Sequence, residues 1–129
     1  MQEHFLFNRI KNLNTMKIIK VRCYDSLQGG KFEFWDSKTN NHDGIFWTMI
    51  KNKSFKEPQL FSEIKDKNGK EIYEGDIFKL GAEKDVFEVR FEHGCFMAFS
   101  NGSQYGLIGE LQICFIDVIG NIYQNAGLI

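Results

Sequence analysis

Residues 86–99 read VFEVRFEHGCFMAF. Phe87, Val89 and Phe91 alternate with Glu88, Arg90 and Glu92, and a period of two places each set on its own face of an extended chain. His93-Gly94 supplies turn residues, and Cys95–Phe99 resumes an apolar run. A strand, a tight turn and a second strand make an antiparallel hairpin with one covered face. This hairpin predicts a mainly β chain.

The same punctuation continues on both sides. Downstream, Asn101-Gly102-Ser103 turns the chain again. Leu111–Ile119 is the last long apolar run, and Gly120-Asn121 leads into Ile122 and Tyr123. A short helix over residues 105–111 is the helical reading in this half. Upstream, Ile77–Leu80 follows Gly75, and Leu60–Ile64 is a further short strand. Between them lies Asp66-Lys67-Asn68-Gly69, and Asn-Gly is a strong hairpin signal because both residues tolerate positive φ.

Toward the N-terminus, Lys17–Tyr24 alternates. Ile19, Val21 and Cys23 share one face, and Lys20 and Arg22 share the other, which is expected to be solvated. Asp25, Ser26, Gly29 and Gly30 form a turn, and Phe32 and Phe34 flank Glu33 in a strand running to Trp35. A polar loop from Lys38 to Gly44 precedes Ile45–Ile50, a strand apolar on both faces. Lys51–Gln59 is a polar connection holding Pro58, the single proline. Residues 1–16 read as an N-terminal extension ahead of Met16, or as a short amphipathic helix bearing Phe5, Leu6, Ile10 and Leu13. Residues 17–129 then form one domain, with an N-terminal β subdomain (17–59) and a β-barrel-like subdomain (60–129). The expected architecture is a small antiparallel barrel or sandwich of SH3-like size.

Composition narrows the function. The chain has 129 residues, 43% hydrophobic and 26% charged, with a net charge of −1. That suits a soluble globule and argues against a protein that neutralises many phosphates. Residues 1–64 carry ten basic and seven acidic side chains, a net of +3; residues 65–129 carry six and ten, a net of −4. No stretch approaches the ~20 apolar residues of a membrane helix. The N-terminus has an early Glu3 and no signal-peptide pattern. Three cysteines, Cys23, Cys95 and Cys114, are too few and too scattered for a disulfide framework. Cys23 and Cys114 lie in apolar runs and are expected to be buried free thiols in a reducing cytoplasm.

Catalytic and metal motifs are missing at the spacings their chemistry needs. No glycine pattern opens a phosphate-binding loop, and Gly102, Gly106 and Gly109 read as turn glycines. Asn101–Gly106 lacks the Gly-x-Ser-x-Gly spacing of a nucleophile elbow. His93 and Cys95 could pair as imidazole and thiol, but the sequence places no third group to orient them, and Gly94 marks a turn. His4, His42 and His93 are far apart. Asp66–Lys70 fails as a calcium loop because Lys70 and Glu71 stand where an oxygen ligand and a glycine are required. No catalytic, cofactor or metal residue is assigned, and the chain is read as a non-enzyme. Nucleic-acid contact has two candidate patches: Lys17, Lys20 and Arg22 with Tyr24, and Lys51, Lys53 and Lys56 beside Phe55.

Ser62–Phe78, SEIKDKNGKEIYEGDIF, resembles the signature of the YopX protein family, small proteins encoded by phages and prophages. Lys17–Asp25, KIIKVRCYD, is similar to the family's opening strand, matching at Arg22, Tyr24 and Asp25. Val89–Phe96, VRFEHGCF, is similar to its middle strand pair, and Asp117–Ile129, DVIGNIYQNAGLI, to its closing motif. Two departures stand out. Gln124-Asn125-Ala126 replaces the usual Glu-Asn-Pro, and Ser62-Glu63-Ile64 replaces the usual residues before Lys-Asp. The resemblance spans residues 17–129 and implies a mainly β phage-type protein with no assigned catalysis, working in the bacterial cytoplasm. Its polar matched residues, Tyr73, Glu74, Asp76, Asn121 and Tyr123, form a candidate interaction surface, or they satisfy turns at one end of the barrel.

The expected function is therefore that of an accessory protein acting through protein–protein contacts or self-assembly, with a nucleic-acid-binding β-barrel as the alternative. The expected partners are a second copy of the chain and a host or phage protein. Ile45–Ile50 is apolar at successive positions, so one small core cannot cover both faces. Phe32, Phe34, Phe46, Trp47 and Met49 are accordingly the candidate oligomer interface.

Overall fold

The computed structural model describes residues 19–27, 29–37, 51 and 54–129. Among them, nine strands form two antiparallel sheets. The first sheet has strand order β2-β1-β3-β4, from β1 (Lys20–Asp25), β2 (Lys31–Asp36), β3 (Gln59–Lys65) and β4 (Glu71–Tyr73). The second has order β8-β7-β6-β5-β9, from β5 (Asp76–Leu80), β6 (Val86–Glu92), β7 (Cys95–Ser100), β8 (Ser103–Leu107) and β9 (Ile116–Asn121). The chain is thus mainly β, and the second sheet stays open, with β8 and β9 at its edges, instead of closing into a barrel.

The hairpin at residues 86–99 forms as its alternation predicts. Phe91 pairs with Phe96 and Glu92 with Cys95 across a two-residue turn. His93 and Gly94 both take positive φ, 54° and 77°, as do Asn101 and Gly102 at the next turn. This geometry matches the right-handed twist of the flanking strands. Asp66–Lys70 likewise joins β3 to β4 as a hairpin turn. Asp66 fixes it from inside. Its Oδ1 accepts from Asn68 N (2.8 Å) and Lys70 N (2.9 Å), and its Oδ2 accepts from Val118 N (3.0 Å). One carboxylate therefore ties the turn to β9.

The second sheet covers a hydrocarbon core of Ile72, Phe78, Phe87, Val89, Ala98, Ile108, Ile116 and Val118. Fully burying a side chain of this size contributes about 1.5–3 kcal/mol. Ile72 comes from the first sheet, so both sheets contribute to this core.

Several expectations are corrected. The apolar run 111–119 is not one strand. A 3₁₀ turn, Ile113–Phe115, interrupts it, and only Ile116–Asn121 pairs with β5. The turn leaves Cys114 exposed, with Ile113 and Phe115 about half exposed, because a single tight turn cannot point successive side chains into one core. Residues 105–111 form the end of β8 and one 3₁₀ turn, Ile108–Glu110, not a helix. Arg22 does not lie on a solvated face; it is 5% exposed. The run 45–50, with Phe46, Trp47 and Met49, and the segment 1–16 lie outside the described residues. Among the described residues no helix is long and apolar enough to cross a membrane.

Candidate interaction site

The motif Glu71–Phe78 crosses between the sheets. Glu71–Tyr73 belongs to the first sheet and Asp76–Phe78 to the second, so Glu74-Gly75 alone carries the chain across. Three backbone bonds clamp this link: Glu74 N donates to Leu60 O, Gly75 N to Val89 O, and Ile122 N to Gly75 O. Gly75 has φ 87°, and a Cβ here would lie 2.1 Å from Gln59 Nε2. Glycine is required both by the conformation and by the close approach.

Arg22 closes the junction from β1. Its Nε donates to Gln59 Oε1 (2.8 Å), and its Nη2 donates to Asp76 Oδ1 (2.8 Å) and more weakly to Glu74 O (3.3 Å). The second Asp76 oxygen accepts from Tyr73 N (2.8 Å). Both charged side chains are almost wholly buried. Burial pushes the Asp76 carboxyl up, while Arg22 and the Tyr73 N–H pull it back toward the ionised form. The guanidinium also lies 4.2 Å from the Phe32 ring centre and 4.8 Å from that of Tyr73. A charge so enclosed needs these partners, because burying it unpaired is strongly unfavourable.

Around Arg22 the aromatic rings form a continuous ladder. Tyr123 stacks on Tyr24 (5.0 Å), Tyr24 meets Phe32 edge-on (5.1 Å), Phe32 touches Phe34 (6.3 Å), and Phe34 reaches Tyr73 (5.9 Å) and then Phe61 (5.4 Å). Cross-strand pairing explains it: Arg22 lies opposite Phe34 and Tyr24 opposite Phe32, on one face of the sheet. Phe34 is 56% exposed although it belongs to this ladder. Lys20, at the far end, pairs with Glu71 and sits over Phe61.

The five polar residues singled out by motif therefore gather at one place but are not equally accessible. Tyr73, Asp76 and Asn121 are buried, while Glu74 and Tyr123 are half-buried. Asn121 organises the closing turn: its Oδ1 accepts from Tyr123 N and Gln124 N, and its Nδ2 donates to Gln124 Oε1. Burial raises the Tyr73 hydroxyl pKa above its ordinary value, with Glu71 adding to the effect. Burial also raises Tyr123, reinforced by Glu57 and Glu74.

Beside the ladder, a cleft of about 250 Å³ opens between β3, β6 and the closing turn. Glu57, Glu74, Glu88 and Glu92 line it with Arg90, Pro58, Gln59, Phe91 and Tyr123. Sequence reasoning missed this grouping. The alternation of Glu88, Arg90 and Glu92 already put them on one face, but nothing local shows that Glu57 and Glu74 meet them. Burial raises the Glu74 pKa; the Leu60 N–H bonded to its Oε1 opposes this and Glu57 adds to it. Another concavity, about 750 Å³, is an open trough lined by residues 80–85 and Phe115, none of which belongs to this junction. His93 and Cys95 are both exposed at the β6–β7 turn. Among the described residues no group of three or more His, Cys, Asp or Glu is placed to hold a metal ion.

Comparison with known families matches residues 8–129 to the family described as YopX protein, a span that begins ahead of Lys17 and includes the whole junction. No curated protein matches the chain.

Proposed function

This chain belongs to the YopX protein family, and from that premise we propose that it is a non-enzymatic accessory protein of phage type that acts in the bacterial cytoplasm through protein–protein contacts, including contact with its own copies. One observation carries the reading. Phe34 is 56% exposed on β2, the outermost strand of its sheet among the described residues, and it continues an aromatic ladder anchored on Arg22. Aromatic side chains are enriched at interface cores, and Phe34 presents one at the surface. Phe32 and Phe34 are the described members of the candidate oligomer interface.

Sedimentation tests this reading. The wild-type chain should exceed monomer mass at micromolar concentration, and Phe34→Glu should return it to monomer with an unchanged circular dichroism spectrum. A wild-type monomer that also captures no protein from host cells carrying the phage would overturn the reading. For the nucleic-acid alternative, the aromatic face is the favourable feature. Against it, Lys20 and Arg22 are both engaged by carboxylates. Salt-sensitive binding of mixed oligonucleotides would favour that alternative.

A further inference from the structure

We infer that the cleft between β3, β6 and the closing turn receives a lysine- or arginine-bearing segment of a partner protein. The inference rests on the contact-protein reading above and names the chemistry of the partner.

Charge complementarity is the first support. Glu57, Glu74, Glu88 and Glu92 line one small cleft. Arg90 answers only part of that charge: it lies 3.3 Å from Glu88 and 4.0 Å from Glu92. Arg22, whose charge also acts on Glu74, is committed to Asp76. Like charges gathered on one wall oppose folding, and a bound cation relieves them. The second support is Gln59, only 4% exposed and lining the cleft. Its Oε1 accepts from Arg22, whereas its Nε2 donates to no acceptor among the described residues. That N–H lies beside Gly75 at the cleft wall, and a peptide carbonyl seated in the cleft would accept from it.

Size and lining agree with this occupant. A cleft of about 250 Å³ falls below the roughly 300–1,000 Å³ of ordinary small-molecule sites and suits one side chain with its adjoining backbone. Tyr123 and Pro58 provide apolar walls for the aliphatic stem of Lys or Arg, and the Tyr123 ring can face a cation.

The test uses the full chain and fluorescein-labelled hexapeptides (Gly-Lys)₃, (Gly-Arg)₃, (Gly-Gln)₃ and (Gly-Glu)₃, with a dT₁₀ oligonucleotide alongside. Anisotropy should show binding of the Lys and Arg peptides alone, weakening as salt rises. Amide shifts in a ¹⁵N-edited spectrum should concentrate at Gln59, Glu74 and Tyr123. Glu57→Gln/Glu92→Gln removes two carboxylates from positions outside the buried pair, and should weaken binding about tenfold or more with an unchanged melting temperature. Equal binding of the Gln peptide, shifts centred elsewhere, preference for dT₁₀, or full affinity in the double variant would each overturn the inference. If the basic peptides fail while Phe34→Glu still abolishes association, the cleft assignment alone is wrong. If association is absent as well, the contact-protein reading falls with it.

Discussion

Behind the five-stranded sheet, the interior is hydrocarbon: Phe78, Phe87, Val89 and Ile116 pack without a charged group among them. At the junction of the sheets the interior is an ion pair, Arg22 with Asp76, held by Gln59 and bracketed by Phe32 and Tyr73. The first region depends on filled volume and matching shape, not on particular polar partners. The second demands particular partners, because each buried polar atom that loses its bond is left with a desolvation penalty. The lesson is a division of labour: apolar packing drives collapse, and the ionic junction fixes how one sheet meets the other.

The largest expected effect is kinetic. Cys23 in the first sheet is fully buried, and burial raises its thiol pKa to about 11. Cys95 and Cys114 are exposed. A thiol reagent should label the latter pair at once and Cys23 on the order of a thousandfold or more slowly, since it must await an opening that costs several kcal/mol. Hydrogen exchange at Val89 sharpens the comparison. If Cys23 labels much faster than that amide exchanges, the first sheet opens alone and the junction does not bind the two together.

Next is the pair itself. Asp76→Ala should cost about 3–5 kcal/mol in urea unfolding, because it strands the Arg22 charge. Arg22→Met combined with Asp76→Leu should recover part of that loss, since an apolar pair leaves no buried charge uncompensated. A loss under about 1 kcal/mol for Asp76→Ala would remove the distinction between the two regions.

Asp66 links the hairpin turn to β9, and Asp66→Ala should cost roughly 2 kcal/mol by leaving three N–H donors short of their acceptor. Burial acts to raise its pKa, but the N–H bonds from Val118, Lys70 and Asn68, helped by Lys70's charge, outweigh burial and hold it below the ordinary 3.8. A lowered folded pKa means stabilisation that is present above pH 3.8 and lost as pH falls through the folded value. Acid unfolding should therefore be less steep below that pH in Asp66→Asn than in the wild type. The smallest effect belongs to Lys20→Met. Lys20 and Glu71 are each about a third exposed, so breaking their pair should cost less than about 1 kcal/mol.

Residues 86–99 could be read almost residue by residue, because alternation and positive-φ turns are local properties. β6 spans Val86–Glu92 as expected, and β7 runs one residue past Phe99. The turn at Asp66–Lys70 was equally legible. The run 111–119 was not, since hydrophobicity alone does not distinguish a strand from a tight turn whose apolar side chains stay exposed. Within the candidate site, the motif residues around Glu74 and Tyr123 were legible as a set, but their burial was not.

By itself, then, the sequence determined the β class, the hairpins and the absence of a phosphate-loop or metal-ligand spacing, all of which depend on neighbours within a few residues. Only the tertiary structure decided that Arg22 meets Asp76 across 54 positions of chain, and that Glu57, Glu74, Glu88 and Glu92 share one cleft. The alternation around β1 gave Arg22 a polar face. Whether that face meets water or a carboxylate depends on which strand folds over it, and no local pattern encodes that pairing.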